Sequence, residues 1–560
     1  MTKKKKRGRR KSPVPVLISL IVIVLIVIVI ALFFNKYTGT EERMSANEYF
    51  GISSDTEAAL IVNGQKLEEK GIVSDGRIYI DVSTAWSYFS SGFYYNSDSG
   101  TLTLTLPEGT NTWTADDGSG TLLEQNGTVY LSADWLKENS DIDLTTAENP
   151  HRVIARNKWS GVKTAQVQSD TPVRYRGGPK SRVLTELKAG ATVAVTEQLD
   201  NWVGVTTDDG FTGYVKKNAV TISESDGIAH TEDTRFVFPK ADKPAGKVCM
   251  AWQYVGSTDA NGQLQQLIQG ADGLNTISPT WFAVTDNSGT LRSYADKSYV
   301  DAAHAAGLSV WAHFGNVDVQ GVSADPAVYF GSSDARANII SQLMQSASDT
   351  GFDGINLDFE SLGSEKIPQY LQFIRELSVA AHEKNLIVSV DNFVPAYTKY
   401  YKRQEQAKAA DYIVIMGYDE HTSSSEEAGP VASISYVKQG IEDTLSEVSK
   451  DQVINAVPFY TRGWTESFGN SVPQSKTLGM DEADAFVQEH GIELSFDSDV
   501  GENCGTAETE DARYSIWMED EKALEEKMKL IKEYDLAGCA AWRLGYERSS
   551  VWSIIKSYLN

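Results

Sequence analysis

Residues 241–560 contain eight short apolar runs, and a helical stretch or a longer insertion separates each run from the next. Eight strands that alternate with helices predict a closed barrel of parallel strands, the (β/α)8 or TIM barrel. The interval at about 465–515, between the last two runs, is predicted to be an α+β insertion that forms one wall of a cleft. The predicted strands are Lys247–Tyr254, Thr276–Val284, Ser309–Phe314, Gly354–Glu360, Ile387–Phe393, Tyr412–Tyr418, Val453–Phe459 and Gly538–Leu544.

The fourth run carries the strongest chemical signal. Between Asp353 and Glu360, polar and apolar residues alternate as in a β-strand, so that Asn356, Asp358 and Glu360 share one face. Acids on the inward face of a barrel strand are costly to bury unless they have a function. The Cα atoms of the last two acids lie roughly 6.6 Å apart at the usual strand rise, so one carboxyl is expected to keep its proton. A proton on Glu360 predicts a general acid, whereas the alternative is a strand that leads into a loop with solvated acids.

The N-terminus predicts a membrane anchor. Residues 3–11 carry eight positive charges and no negative charge, and the run Val16–Phe34 contains one serine as its only polar residue. Such a run can cross a bilayer as a helix, and its basic flank is expected to stay in the cytoplasm. We therefore predict a cytoplasmic tail over 1–12, a transmembrane helix over 13–35, and a single-pass cell-membrane protein whose barrel domain is extracellular. A cleaved signal peptide is the alternative, but no small-x-small cleavage pattern follows the apolar run.

Charge and cysteine content limit the remaining functions. The formal net charge of −25 at pH 7 argues against nucleic acid as a partner. Cys249, Cys504 and Cys539 and the seven histidines show neither metal-ligand spacing nor a disulfide framework, so we predict no metal and no cofactor. The first and last of these cysteines fall on the first and last predicted barrel strands, either as two buried thiols or as a bridge.

Two smaller domains are predicted between the anchor and the barrel domain. Residues 36–55 are interpreted as a short polar stalk. Residues 56–158 show short strands with Asn-Gly, Asp-Gly and Ser-Gly turns, typical of a small α+β module. This region resembles the module at the N-terminus of copper amine oxidases, although it has no cluster of copper ligands. The resemblance implies a spacer or a weak wall-binding module.

The second small domain, over 163–222, consists of short predicted strands with glycine turns, which indicate a small β-barrel. It resembles the bacterial SH3-like domains of exported wall-active proteins. The resemblance implies binding to the cell wall or to peptide stems, and a passive spacer is the alternative. Residues 223–240 are predicted to be a charged linker to the barrel domain over 241–560.

Four segments, in order along the predicted barrel, resemble glycoside hydrolase family 18, which includes chitinases and N-acetylglucosaminidases. Asp353–Glu360 is similar to the family's Asp-x-x-Asp-x-Asp-x-Glu signature, and Met416–Asp419 to its Met-x-Tyr-Asp segment on the sixth strand. Pro458–Trp464 resembles the seventh-strand segment, and Ala541–Gly545 the eighth-strand segment with its floor tryptophan. The overall plan is similar to that of anchored or exported bacterial members that act on spores and cell walls.

The resemblance implies cleavage of β-1,4 bonds next to an N-acetylated sugar with retention of configuration, in which the substrate's own acetamido oxygen is the nucleophile. Glu360 would protonate the departing oxygen and then activate water. Asp358 would hold the acetamido N–H, and Tyr418 would donate to the acetamido oxygen. The residues implied as catalytic are Glu360, Asp358, Tyr418 and Asp353, and those implied as substrate-binding are Asn356, Trp542, Met416, Asp419, Tyr460, Arg462 and Asp391.

Several of these positions leave alternatives open. The family's middle aspartate is Asn356 here, and an amide cannot share a proton with the neighbouring carboxylate, which could slow turnover or shift the pH optimum. Taken alone, Tyr418 and Trp542 would fit core aromatic residues, Asp391 a loop cap and Arg462 a surface ion pair.

Three functions follow from the sequence. The first is a membrane-anchored hydrolase that cleaves N-acetylglucosamine linkages in peptidoglycan or its fragments. The second is a chitinase that acts on external chitin. The third is a catalytically inactive glycan-binding protein, which the presence of the acid Glu360 disfavours.

Overall fold

The computed structural model describes residues 14–316, 324–469 and 472–559. The chain forms two compact units. The first contains the chain up to Ser90 together with Thr114–Asp233, and the second contains Ser91–Trp113 together with the chain from Thr234 onward.

The second unit contains the predicted barrel. Its parallel strands pair in chain order, and the first strand also pairs with the eighth, which closes the sheet. The prediction of a closed eight-stranded barrel is therefore confirmed. One additional strand, Leu291–Ser293, pairs antiparallel with the second barrel strand. The barrel strands are Val248–Gln253, Thr276–Val284, Ser309–Gly315, Gly354–Asp358, Ile387–Phe393, Tyr412–Met416, Val453–Pro458 and Gly538–Trp542.

Three barrel strands end two residues earlier than predicted at their carboxyl ends. The fourth, sixth and eighth strands end at Asp358, Met416 and Trp542. Glu360 and Tyr418 therefore lie in the loops just beyond their strands. The two strand cysteines face each other in register across the first and eighth strands, and both are buried free thiols.

Helices cover the outside of the barrel. The helix Ser333–Thr350 illustrates how the sequence sets their ends: the Ser332 side chain accepts a hydrogen bond from the backbone N–H of Ala335, and Gly351 ends the helix with a φ of +83°. That turn leads into the fourth barrel strand. The helices of this unit are Leu264–Leu267, Lys297–Ala305, Pro326–Gly331, Ser333–Thr350, Ile367–His382, Pro395–Thr398, Arg403–Ala409, Ile434–Leu445, Met480–His490, Glu521–Glu533 and Ser550–Leu559, with 3-10 turns at Thr234–Phe236, Thr258–Gln263, Ser364–Lys366, Lys399–Tyr401 and Lys450–Gln452.

The predicted α+β insertion between the seventh and eighth strands is present. It is a five-stranded antiparallel sheet with the helix Met480–His490 packed against it. The insertion begins at Tyr460 and ends at Met518, so it is longer at both ends than the predicted 465–515, and Arg462 belongs to it. The strands, in spatial order, are Gln474–Gly479, Tyr460–Ser467, Ala512–Met518, Glu502–Glu508 and Ser495–Asp497.

Part of the predicted module over 56–158 belongs to the second unit instead. A three-stranded sheet packs on the helix Ile367–His382, where Gln372 Nε2 donates to Thr105 Oγ1 at 2.6 Å and Arg375 Nη2 donates to the Ser91 carbonyl at 2.8 Å. By compactness this segment groups with the second unit, whereas the sequence assigned it to the module. The three strands are Tyr94–Asn96, Thr101–Leu106 and Gly109–Trp113.

The first unit contains two seven-stranded sheets. The first, with its short helices, is the rest of the predicted α+β module: Leu122–Gln125, Thr128–Ser132, Arg77–Asp81, Gln65–Ser74, Glu57–Val62, Arg152–Arg156 and Asp143–Ala147 in spatial order, with helices Val82–Thr84 and Ala133–Glu138 and a π-helix at Ala85–Phe89. The second fits the predicted SH3-like domain: Val183–Leu187, Thr171–Arg174, Thr212–Lys216, Trp202–Thr206, Thr192–Gln198, Ser160–Val167 and Val220–Gly227, with a 3-10 turn at Lys217–Ala219.

The predicted stalk and linker are both partly folded. Within 36–55, the helix Ala46–Phe50 forms, and the apolar side chains of Met44, Phe50 and Ile52 are buried in a core that they share with strands of both sheets of this unit. Apolar burial therefore makes this segment part of the domain rather than a free stalk. Within 223–240, the last strand of the first unit extends to Gly227, and the end of the segment packs in the second unit, where Phe238 is buried.

The structure gives no support to the predicted transmembrane anchor over 13–35. A helix occupies Val14–Tyr37. Among the described residues, no helix combines the length and the apolar character that a membrane crossing requires. The predicted cytoplasmic tail over 1–12 lies outside the described residues.

Candidate active site

The carboxyl ends of the barrel strands surround a cavity of about 270 Å³. This is the end of a parallel barrel at which catalytic groups normally lie. Most of the predicted site residues line this cavity: Asp358, Glu360, Asp391, Met416, Tyr418, Asp419, Tyr460 and Trp542.

Two hydrogen bonds from one side chain hold the backbone of Glu360 at the rim of the cavity. Its N–H donates to Asn316 Oδ1 at 2.9 Å, and Asn316 Nδ2 donates to its carbonyl at 3.0 Å. The preceding Phe359 points outward, where its ring contacts those of Phe330 and Tyr370 on the surrounding helices. The predicted alternation of this strand is therefore confirmed, with the acids inward and the apolar residues outward.

Asp358 is buried beneath the cavity and has a partner that the sequence did not reveal. Its Oδ2 lies 3.0 Å from Nε2 of His313, and both side chains are less than a tenth exposed. Its Oδ1 is buried and has no hydrogen-bond partner among the described residues. Asp358 therefore keeps one acceptor oxygen available to a ligand, while the other oxygen is fixed by the imidazole of the third barrel strand.

Asn356 lies below the cavity and does not line it. Its Oδ1 accepts from Trp252 Nε1 at 2.8 Å and from Ser278 Oγ at 3.2 Å. Its Nδ2 donates to Ser389 Oγ at 2.9 Å and to Asp391 Oδ1 at 2.7 Å. All four bonds of the amide are satisfied inside the barrel. The prediction that Asn356 contacts substrate is therefore corrected: it crosslinks the strands that carry the site.

Asp391 is the carboxyl of the site whose protonated form the structure favours most clearly. Burial raises the pKa of Asp391 well above its ordinary value, and the charges of Asp358 and Glu360 raise it further, although the bond from Asn356 opposes them. The surroundings of Asp391 therefore favour the uncharged acid over the carboxylate.

Asp391→Asn is expected to make the stability of the barrel unit less dependent on pH. Above an unfolded-state pKa of about 4, the folded unit keeps a proton that the unfolded chain loses, so the free energy of unfolding falls as pH rises. The fall is up to about 1.4 kcal/mol per pH unit until the folded-state pKa is reached. The amide removes this dependence, so the melting temperature of the variant relative to the wild type should rise between pH about 4 and about 7. A constant difference would contradict the assignment, and Asp301→Asn on an exposed helix is the matched control.

The sixth strand and the insertion place a polar cluster on another wall of the cavity. Tyr460 Oη donates to Asp419 Oδ1 at 2.5 Å, and Arg462 Nη2 lies 3.3 Å from the same oxygen. Arg462 does not line the cavity, so it positions Asp419 rather than contacting substrate directly. Burial raises the pKa of Tyr418 and of Tyr460 well above the ordinary value, which keeps both hydroxyls as neutral donors. The Tyr418 hydroxyl has no hydrogen-bond partner among the described residues.

Asp353 does not reach the cavity. It precedes the fourth barrel strand, at the opposite end from Glu360. Its Oδ2 lies 2.8 Å from His304 Nε2 and accepts from the Val310 N–H at 2.7 Å. The predicted catalytic role of Asp353 is therefore corrected. Its carboxylate links the amino ends of the third and fourth barrel strands.

Two tryptophans form the apolar floor. Trp542 ends the eighth strand and Trp252 lies on the first, with ring centroids 5.9 Å apart, and both line the cavity. Inward parity on the predicted strands could have identified Trp252 and His313, whereas no sequence pattern marks Asn316 in its loop. Among the described residues, no group of three His, Cys, Asp or Glu side chains could hold a metal ion.

The family model described as "Glycosyl hydrolases family 18" matches residues 250–547, more than half of the chain. The chain belongs to glycosyl hydrolase family 18. This family assignment makes the protein a glycosidase. A second family model, "Bacterial SH3 domain", matches residues 169–221, within the second sheet of the first unit.

Individual relatives agree with this assignment. The uncharacterized glycosylase YvbX of Bacillus subtilis (strain 168) is 26% identical over 298 residues, which cover 50% of this chain and 84% of YvbX. The cortical fragment-lytic enzyme of the same organism is 22% identical over 233 residues, which cover 40% of this chain and 54% of that enzyme. The crystal structure of a chitinase from Chromobacterium violaceum ATCC 12472 aligns with a TM-score of 0.50 at 22% identity, over 56% of this chain and 99% of that one. The structural likeness shows the shared fold.

Proposed function

We propose that this family 18 glycosidase cleaves β-1,4 bonds at N-acetylglucosamine in peptidoglycan or its fragments, with the substrate's acetamido group as nucleophile. One observation carries the mechanism. In the cavity that Glu360 also lines, the buried Asp358 presents an acceptor oxygen and Tyr418 presents a hydroxyl, and neither has a hydrogen-bond partner among the described residues. An acetamido group offers the complementary pair, an N–H donor and a carbonyl acceptor.

The first half of the reaction uses these groups in order. The acetamido N–H donates to Asp358 Oδ1 while His313 holds the other carboxylate oxygen. Tyr418 donates to the acetamido oxygen and aims it at the anomeric carbon. As that oxygen forms its bond to carbon, the glycosidic C–O bond breaks, and Glu360 gives its proton to the leaving oxygen. The negative charge of Asp358 offsets the positive charge of the cyclic intermediate.

The second half reverses the roles. Glu360, now a carboxylate, takes a proton from water, and the water oxygen attacks the anomeric carbon. The bond to the acetamido oxygen breaks, so two displacements on the same carbon retain its configuration. The rings of Trp252 and Trp542 supply an apolar floor for the sugar face.

Two findings favour peptidoglycan over chitin as the substrate. A bacterial SH3 domain precedes the barrel. Its resemblance to the SH3-like domains of exported wall-active proteins implies binding to the cell wall. One relative carries the name "Cortical fragment-lytic enzyme". Chitin remains the second candidate because the fold is shared with a chitinase.

A side-by-side assay tests the substrate. The protein with residues 1–37 removed is incubated with purified peptidoglycan and with chitin, and new reducing ends are counted over time. We expect peptidoglycan to be cleaved faster at equal N-acetylglucosamine content. Faster cleavage of chitin would contradict the proposal.

The location of the enzyme is a separate proposal. We propose that the barrel acts outside the cell, where peptidoglycan is found. This rests on the basic and apolar N-terminal sequence. Protease added to intact cells should degrade the barrel, and complete protection in intact but not in lysed cells would contradict an external location.

A further inference from the structure

One wall of the cavity carries a cation that the mechanism does not use. Arg292 lies on the short strand Leu291–Ser293, which pairs antiparallel with the second barrel strand, so that Arg292 is opposite Ala283. This pairing fixes its backbone, and its guanidinium carbon lies 4.7 Å from the ring centroid of Tyr294. Arg292 lines the same cavity as Glu360.

The guanidinium has no acidic partner in the described part of the chain. Among residues 14–316, 324–469 and 472–559, no carboxylate lies within ion-pair distance of it, and its buried Nε has no hydrogen-bond partner there. Another arginine near this site, Arg462, is bound to Asp419. A buried donor that is left unpaired is costly, and an arginine fork matches the two oxygens of a carboxylate.

The positive charge of Arg292 contrasts with the negative net charge of the protein. The chain carries a net charge of −25, and Asp358, Glu360 and Asp419 line the cavity, so an anionic ligand would be repelled unless a cation met it there. Chitin is uncharged and needs no such group. In peptidoglycan, every second sugar carries a lactyl ether that ends in a carboxyl group or in a peptide stem with further carboxylates.

We propose that Arg292 binds a carboxylate of the substrate, on the lactyl group or on the peptide stem of a sugar next to the reacting one. This inference rests on the proposed peptidoglycan substrate. It makes Arg292 a residue that distinguishes charged wall glycan from neutral chitin, in addition to the groups that recognise the acetamido sugar.

Arg292→Gln tests the inference through a ratio of substrates. The kcat/KM is measured on three probes: N-acetylglucosamine tetramers, peptidoglycan strands with their stems, and strands whose stems an amidase has removed. We expect a loss of about 10- to 100-fold on a carboxylated probe, the range of a charge-assisted hydrogen bond, and little change on the neutral tetramer. A loss on the stem-free strands assigns the lactyl carboxylate, and a loss confined to stem-bearing strands assigns a stem carboxylate.

Two controls separate charge recognition from folding. Arg292→Lys keeps the charge and should retain more of the activity on carboxylated probes than Arg292→Gln. Arg513→Gln makes the same change at an exposed arginine of the insertion and should match the wild type on all probes. Equal losses of Arg292→Gln on neutral and carboxylated probes, or no loss on either, would overturn the inference alone. A wild-type enzyme that cleaves the tetramer but neither form of peptidoglycan would overturn the proposed substrate as well.

Discussion

Glu360→Gln is expected to lower kcat by about 10²- to 10⁴-fold on N-acetylglucosamine oligomers, while the oligomers still bind. The amide keeps the size of the side chain but cannot supply a proton to the leaving oxygen or remove one from water. The acetamido contacts with Asp358 and Tyr418 and the tryptophan floor remain, so affinity should persist. Released reducing ends report turnover, and the quenching of tryptophan fluorescence reports binding.

The control for this variant makes the same chemical change a few residues away. Glu365→Gln alters an exposed side chain in the 3-10 turn after the fourth strand, so we expect turnover close to that of the wild type. Turnover of Glu360→Gln within a few-fold of the wild type would remove Glu360 from the acid role. Loss of binding together with turnover would indicate a disturbed site rather than a missing proton donor.

N-deacetylated oligomers are expected to give no detectable cleavage. In the proposed reaction the nucleophile is part of the substrate, and an intramolecular nucleophile held in place corresponds to an effective concentration of about 10⁵ M or more. Removal of the acetyl group removes this nucleophile, and the resulting ammonium group cannot replace it. The deacetylated sugar would also lack the carbonyl oxygen to which Tyr418 donates a hydrogen bond.

The same oligomers after chemical re-acetylation provide the control, and their cleavage should return to the original rate. Cleavage of the deacetylated oligomers at a comparable rate would mean that a side chain of the enzyme attacks the anomeric carbon. Asp358 would then be the first candidate, because it is the carboxylate nearest to Glu360 in the sequence and lines the same cavity.

The sequence predicted the parts of this molecule that depend on local periodicity. Alternation between Asp353 and Glu360 placed the acids inward, and eight apolar runs separated by helices predicted the barrel. Inward parity also put Asp391 in the site. These predictions needed only the twofold repeat of a strand and the rule that catalytic groups gather at the carboxyl ends.

Other features depend on contacts between distant segments, which periodicity does not specify. The partner of Asp358 is His313, 45 positions earlier in the chain, and the partner of Glu360 is Asn316. The register between two parallel strands decides both. Likewise, the strand Thr101–Leu106 has a clean alternation, but only its packing on a barrel helix shows that it belongs to the catalytic unit.

The identity of the sugar at the new reducing end tests the central claim most directly. Purified peptidoglycan is digested, the products are reduced with borohydride, and their masses are determined after fragmentation. Cleavage at the anomeric carbon of N-acetylglucosamine, which we propose for the site formed by Glu360, Asp358 and Tyr418, predicts reduced N-acetylglucosamine at every new end. Reduced N-acetylmuramic acid at those ends would contradict the account.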